Sequence, residues 1–181
     1  MVRHARILLA IGILLTATAA GSGVATGGDG TNIGNSLQVR LTGFQETPLA
    51  LSTSGTGDFR VQIGDQGQEI TYELSYADLE ANVLQAHIHV GLRAQTGGIS
   101  VFLCSNLGNG PAGTQLCPAA PATVTGVLTA ADVIGPTGQG VSPGEFDELI
   151  EAMRSGTTYV NVHTAKYPTG EIRAQLDHHS H

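Results

Sequence analysis

Short runs in which apolar and polar residues alternate cover most of this chain, and that period limits its fold more than any other feature. Leu37, Val39 and Leu41 alternate with Gln38 and Arg40, and Phe59, Val61 and Ile63 with Arg60 and Gln62. The same holds for Ile70, Tyr72 and Leu74, and for Leu84, Ala86, Ile88 and Val90. It holds again from Tyr159 to His163, and for Ile172, Ala174 and Leu176. Successive side chains of a strand point to opposite faces, so each run predicts a half-buried antiparallel strand. Residues 99–103 and 123–128 are less regular strand candidates. Gly64-Asp65-Gln66-Gly67 and Pro168-Thr169-Gly170 read as tight connections between neighbouring runs. Eight or so short strands predict an all-β, antiparallel Greek-key β-sandwich. One helix interrupts the pattern before the penultimate strand. Ser142-Pro143-Gly144-Glu145 reads as its cap and first turn, Phe146, Leu149, Ile150 and Met153 as its apolar stripe, and Gly156 as its stop.

The two ends read differently. A basic start, Met1-Val2-Arg3-His4-Ala5-Arg6, precedes nine apolar residues, 7–15, and then small residues around Ala19. This is the pattern of a secretory signal peptide over residues 1–20, cleaved near 19–21. The apolar run is shorter than the ~18–20 residues needed to span a bilayer, so no transmembrane segment is expected in the mature chain. Residues 21–35, rich in Gly, Ser, Thr and Asn, read as a flexible linker. Residues 178–181, His-His-Ser-His, form a His-rich tail, either a loose metal-binding extension or an inert end. The roughly 140 residues between suffice for one domain. A formal charge of −7, with 8 Lys and Arg against 15 Asp and Glu, argues against nucleic acid as a partner.

Export also sets the chemistry of the two cysteines. Cys104 and Cys117 are an even pair thirteen residues apart, and in an oxidising compartment they predict a disulfide. The protein is accordingly expected outside the cytoplasm, in an extracellular or periplasmic space.

Within the alternating runs, three histidines stand out. His87 and His89 flank Ile88, so both imidazoles share the face opposite the one Ile88 gives to the core. His163 takes the same posture in Tyr159-Val160-Asn161-Val162-His163. An i, i+2 histidine pair joined by a third histidine on another strand is a metal-site pattern, and three neutral imidazoles suit copper or zinc. Copper is the first choice in an oxidising compartment and zinc the second. Glu46, Asn161 and Glu171 are candidates to orient the ligands, and Glu46 also for a fourth ligand. Arg173 is a candidate to hold positive charge near the site. The competing readings are that Glu46 pairs with Arg173, and that Glu171 and Arg173 belong to a surface charge network. No Gly-x-Ser-x-Gly nucleophile context or phosphate-cradling glycine loop occurs.

Three motifs also resemble a known family. Gly43-Phe44-Gln45-Glu46-Thr47-Pro48 resembles the G-x-Q-E-x-P opening of the CHRD domain. Ala86-His87-Ile88-His89-Val90-Gly91 resembles its A-H-I-H-x-G centre. Tyr159-Val160-Asn161-Val162-His163-Thr164, followed by Pro168-Thr169-Gly170-Glu171-Ile172-Arg173, resembles its close. The resemblance implies a CHRD domain over residues 36–177, with a β-sandwich fold. The histidine layout is also similar to that of copper–zinc superoxide dismutases, but no histidine follows His89 at bridging distance. Three functions follow as expectations: an exported protein binding one metal ion through His87, His89 and His163; a non-catalytic extracellular module that binds another protein; and a copper-dependent, superoxide-dismutase-like enzyme.

Overall fold

The computed structural model describes residues 34–177. The signal-peptide reading, nearly all of the linker and the His-rich tail fall outside the described residues. Eight strands form in chain order: β1 (Ser36–Thr42), β2 (Thr56–Ile63), β3 (Ile70–Ala77), β4 (Val83–Val90), β5 (Gly98–Ser105), β6 (Ala122–Leu128), β7 (Thr158–Thr164) and β8 (Ile172–Gln175). One helix, α1 (Phe146–Arg154), precedes the penultimate strand β7. The expected all-β architecture with one inserted helix is therefore present.

All pairings are antiparallel, in the order β5-β4-β7-β8-β1-β2-β3-β6. A single residue pair, Thr42 with Arg173, joins β8 to β1. Seven or eight pairs, by contrast, join each of β1 to β2, β2 to β3 and β3 to β6. This narrow seam divides the sheet into two four-stranded layers, and the whole rolls into a nearly barrel-shaped sandwich. The chain crosses between layers at β3–β4, β5–β6 and β6–β7. Tyr72 on β3 donates to the Leu103 carbonyl on β5 (2.8 Å) and accepts from Gln115 (2.7 Å), which ties the two layers together.

One apolar core fills the space between the layers. Phe59, Val61, Ile63, Ile70 and Leu74 come from one layer, and Ala86, Ile88, Val101, Val160, Val162 and Ile172 from the other. These are the apolar members of the alternating runs, so period two placed the core face correctly. Cys104 and Cys117 are disulfide-bonded and both buried at the edge of this core.

Helix α1 buries Phe146, Leu149, Ile150 and Met153, as its stripe predicts. It begins later than the sequence suggests. Ser142–Glu145 is a hydrogen-bonded turn in which Glu145 N–H donates to the Ser142 carbonyl (3.1 Å). Gly144, at φ 86°, sits in the left-handed region, which a helix cannot pass through. Ser142 and Pro143 therefore precede the helix instead of capping it. The C-terminal reading holds: Gly156 has φ 70°, and its N–H returns to the Met153 carbonyl (3.0 Å).

Candidate metal centre

β4 carries His87 and His89, and β7 carries His163. The two strands pair in register, His87 opposite Asn161, His89 opposite Tyr159 and Gln85 opposite His163. Side chains one pair apart on the same face therefore crowd together. Against β5, by contrast, the register of β4 shifts between Ala86 and His87 and again between Ile88 and His89. Such bulges re-aim side chains, and here they bracket the histidine pair. The three rings converge, with centroids 5.0 Å (His87–His163), 5.4 Å (His87–His89) and 6.2 Å (His89–His163) apart. One ring nitrogen from each lies within 4.8 Å of the others.

The alternation reading takes this face to be polar and away from the core, which suggests solvent. The structure corrects that. His87, His89 and His163 are 0%, 6% and 7% exposed, and Arg173 is 1% exposed. The layer holding them is covered on both faces, on this side by the segments around Glu46, residues 91–97 and Pro168. Phe102 packs edge-on against His87 (4.4 Å between centroids). Tyr159 stacks on His89 (4.7 Å, 4° between planes) and carries the Arg173 guanidinium 3.6 Å from its ring centre.

Hydrogen bonds assign the tautomers. His89 Nδ1 lies 3.0 Å from the Gly97 carbonyl and His163 Nδ1 3.0 Å from the Pro168 carbonyl. A carbonyl only accepts, so both Nδ1 atoms carry the proton and both Nε2 atoms present a lone pair. His163 Nε2 meets His87 Nδ1 at 3.2 Å, which makes His87 the donor of that bond and leaves its own Nε2 as a lone pair. His87 Nε2 and His89 Nε2 are buried with no hydrogen-bond partner. Buried polar atoms are rarely left unpaired, so these two mark a place for an electrophile. Asn161 brings its amide oxygen 3.0 Å from His163 Nε2. With His163 protonated at Nδ1, two acceptors would face each other there, and a half-turn of the amide converts the contact into a donated bond.

Electrostatics keep the cluster neutral. Burial, followed by the proximity of His163 and His89, pushes His87 down to about 2. Burial pushes His89 down to about 4, against the hydrogen bond to Gly97. Burial also lowers His163, opposed by its bond to Pro168. Neutral imidazole is the form that binds metal.

The remaining candidates separate. Glu46 is buried, and burial raises its carboxyl to about 7, with the Arg173 charge pulling the other way. No direct ion pair joins the two among the described residues. Glu46 Oε1 has no hydrogen-bond partner. It lies against Gly170, where an added Cβ would stand 2.5 Å from Oε1. Arg173 is not part of a surface network. It bonds to the Thr47 hydroxyl and to the Leu92 carbonyl (3.0 Å), and so pins two covering segments over the site. Glu171 is fully buried too, and its carboxylate is engaged elsewhere. It accepts from Thr53 (2.6 Å), the Glu80 N–H (2.9 Å) and Thr164 (2.7 Å), with none of the histidines among its partners.

Several residues of the site escape the sequence reading. Tyr159 shares the face of Asn161 and His163 at period two, and that spacing alone was enough to place it. Gln175 stands likewise two residues beyond Arg173, and it donates to the Gly91 and Gly156 carbonyls (both 2.9 Å). Gly97 carries no local signal. Its carbonyl receives His89, its N–H meets the Tyr159 hydroxyl (3.1 Å), and a Cβ there would lie 1.6 Å from the Val90 carbonyl oxygen.

The family model for the CHRD domain matches residues 37–176, the span over which the three motifs were read. No curated protein and no solved structure matches the chain. No helix among the described residues is long and apolar enough to cross a membrane.

Proposed function

Because the chain belongs to the CHRD domain family, we propose that it is an exported CHRD-domain protein that binds one metal ion through His87, His89 and His163. The observation that carries this reading is the convergence of three buried, neutral imidazoles, two of them with an unpartnered Nε2. The donor set suits the ion. Two of the rings have their other nitrogen held by a backbone carbonyl, the arrangement that orients metal-binding histidines and raises their basicity. His87 Nδ1 and His163 Nε2, 3.2 Å apart, have the spacing of two ligands on one ion at about 2.0–2.1 Å each. Copper is the preferred ion, because divalent copper binds nitrogen donors more strongly than zinc does, and zinc is the alternative. Export is supported by the charged start and apolar run of residues 1–20 and by the disulfide.

Metal content after production in copper- and zinc-replete medium tests this. The wild type is expected to carry about one ion per chain, and the His87→Ala/His89→Ala variant essentially none. A wild type without stoichiometric metal, or a variant that keeps it, overturns the reading.

A second reading, a module that binds an extracellular protein, draws on one observation. Phe44 and Leu49 are each 73% exposed and Leu92 is 51% exposed. They sit in the two segments that meet where Thr47 donates to the Gln95 carbonyl (3.3 Å). That reading anticipated no convergence of histidines, so it ranks second.

A further inference from the structure

The described chain ends at Asp177, and its place in the sheet is informative. Gln175 pairs with Tyr159, and Tyr159 pairs with His89. Two strand spacings put Gln175 about 10 Å from His89, and two residues more put Asp177 at about 12 Å. Leu176 is buried, and its N–H still bonds the Thr158 carbonyl (2.9 Å). Both carboxylate oxygens of Asp177 lie 2.8 Å from Arg93 Nη2. Arg93 belongs to the 91–97 segment, whose Leu92 carbonyl holds Arg173 and whose Gly97 carbonyl holds His89. The chain therefore leaves the fold on the histidine face, beside the segment covering the site. The next four residues are His178, His179, Ser180 and His181. Four residues of extended chain reach at most about 14 Å, which spans the distance to His89.

We propose that His178, His179 and His181 form an ion-capturing arm, which takes a divalent copper or zinc ion from solution and passes it to the buried triad. The inference rests on the triad reading above. A buried three-histidine site presents almost nothing to solvent, since His89 and His163 are only 6% and 7% exposed and His87 not at all. Uptake is then limited by encounter. Imidazoles on a short tether hold an ion at millimolar effective concentration beside the site. Transfer is ligand exchange: neutral tail imidazoles release the ion and neutral buried ones receive it, with no change of charge or oxidation state. The Arg93–Asp177 pair sets the tether's origin.

Stopped-flow mixing of metal-free protein with copper(II) sulfate at neutral pH, read by quenching of tyrosine emission, tests this. Tyr159, stacked on His89, is the reporter. His178→Ala/His179→Ala/His181→Ala is expected to load at least tenfold more slowly, with equilibrium affinity of the triad within threefold of wild type. Arg93→Ala keeps every tail histidine and is expected to load at least twofold more slowly. If the tail variant loads at the wild-type rate, the arm is wrong and the triad stands. If its rate is unchanged and its affinity falls tenfold, the tail is a ligand, which also overturns the arm. If the wild type and His87→Ala/His89→Ala bind copper alike, the triad reading fails, and the arm with it.

Discussion

Acidifying the metal-free protein from pH 7.5 to pH 5 sets two kinds of buried group against each other. An unfolded histidine protonates near 6.5, whereas burial holds folded His87 at about 2 and His89 at about 4. Such depressed groups leave stability intact above 6.5 and remove it as pH falls from 6.5 toward the folded values. At pH 5 each is about 1.5 pH units past its unfolded midpoint, and at about 1.4 kcal/mol per unit the pair costs about 4 kcal/mol. Glu46 acts in the other direction. Its folded value, about 7, lies above the usual 4.5, so its contribution is present at low pH and lost as pH rises through 7. Between pH 7.5 and 5 it returns about 2 kcal/mol. The wild type is therefore expected to lose about 2 kcal/mol, with His163, also depressed by burial, adding to the loss. Glu46→Gln lacks the opposing group and is expected to lose about 4 kcal/mol from the His87–His89 pair over the same range. Denaturant unfolding in the presence of a chelator, at pH 7.5, 6.5, 5.5 and 5, measures both. A wild type equally stable at pH 5 and pH 7.5, together with an unchanged profile in Glu46→Gln, refutes the reasoning.

Other perturbations probe the scaffold. Tyr72→Phe removes the bond between layers and is expected to cost about 1 kcal/mol by denaturant unfolding. Cys104→Ala/Cys117→Ala opens the loop closed by the disulfide and is expected to cost about 3 kcal/mol, read the same way. Glu171→Ala strands three donors, including the buried Thr164 hydroxyl, and is expected to cost about 2–4 kcal/mol while metal stoichiometry in the folded fraction stays at wild type.

The strand layout was legible because period two is a local property. Each run shows its core face directly, and the spacing of His87, His89 and His163 put all three on the opposite face without any tertiary information. What sits over that face was not legible. Residues 91–97 and the turn at Pro168 have no periodicity, and nothing local says that a Gly97 carbonyl will reach His89. The polar face therefore read as exposed, and Arg173 as a charge near solvent, although both are buried. Glu171 shows the same limit. Its position suggested a partner for the histidines or for Arg173, but its bonds to Thr53, Glu80 and Thr164 depend on how distant segments meet. The helix start failed for a local reason: Ser-Pro looks like a cap, and Gly144 at positive φ takes the chain out of helical space.

X-ray absorption on the copper-loaded protein tests the three-histidine site most directly. The account predicts three imidazole nitrogens at about 2.0 Å, with the outer-shell scattering typical of histidine rings, falling to at most one in His87→Ala/His89→Ala. A loaded wild type with no imidazole scattering, or one whose imidazole count is unchanged in that variant, contradicts it.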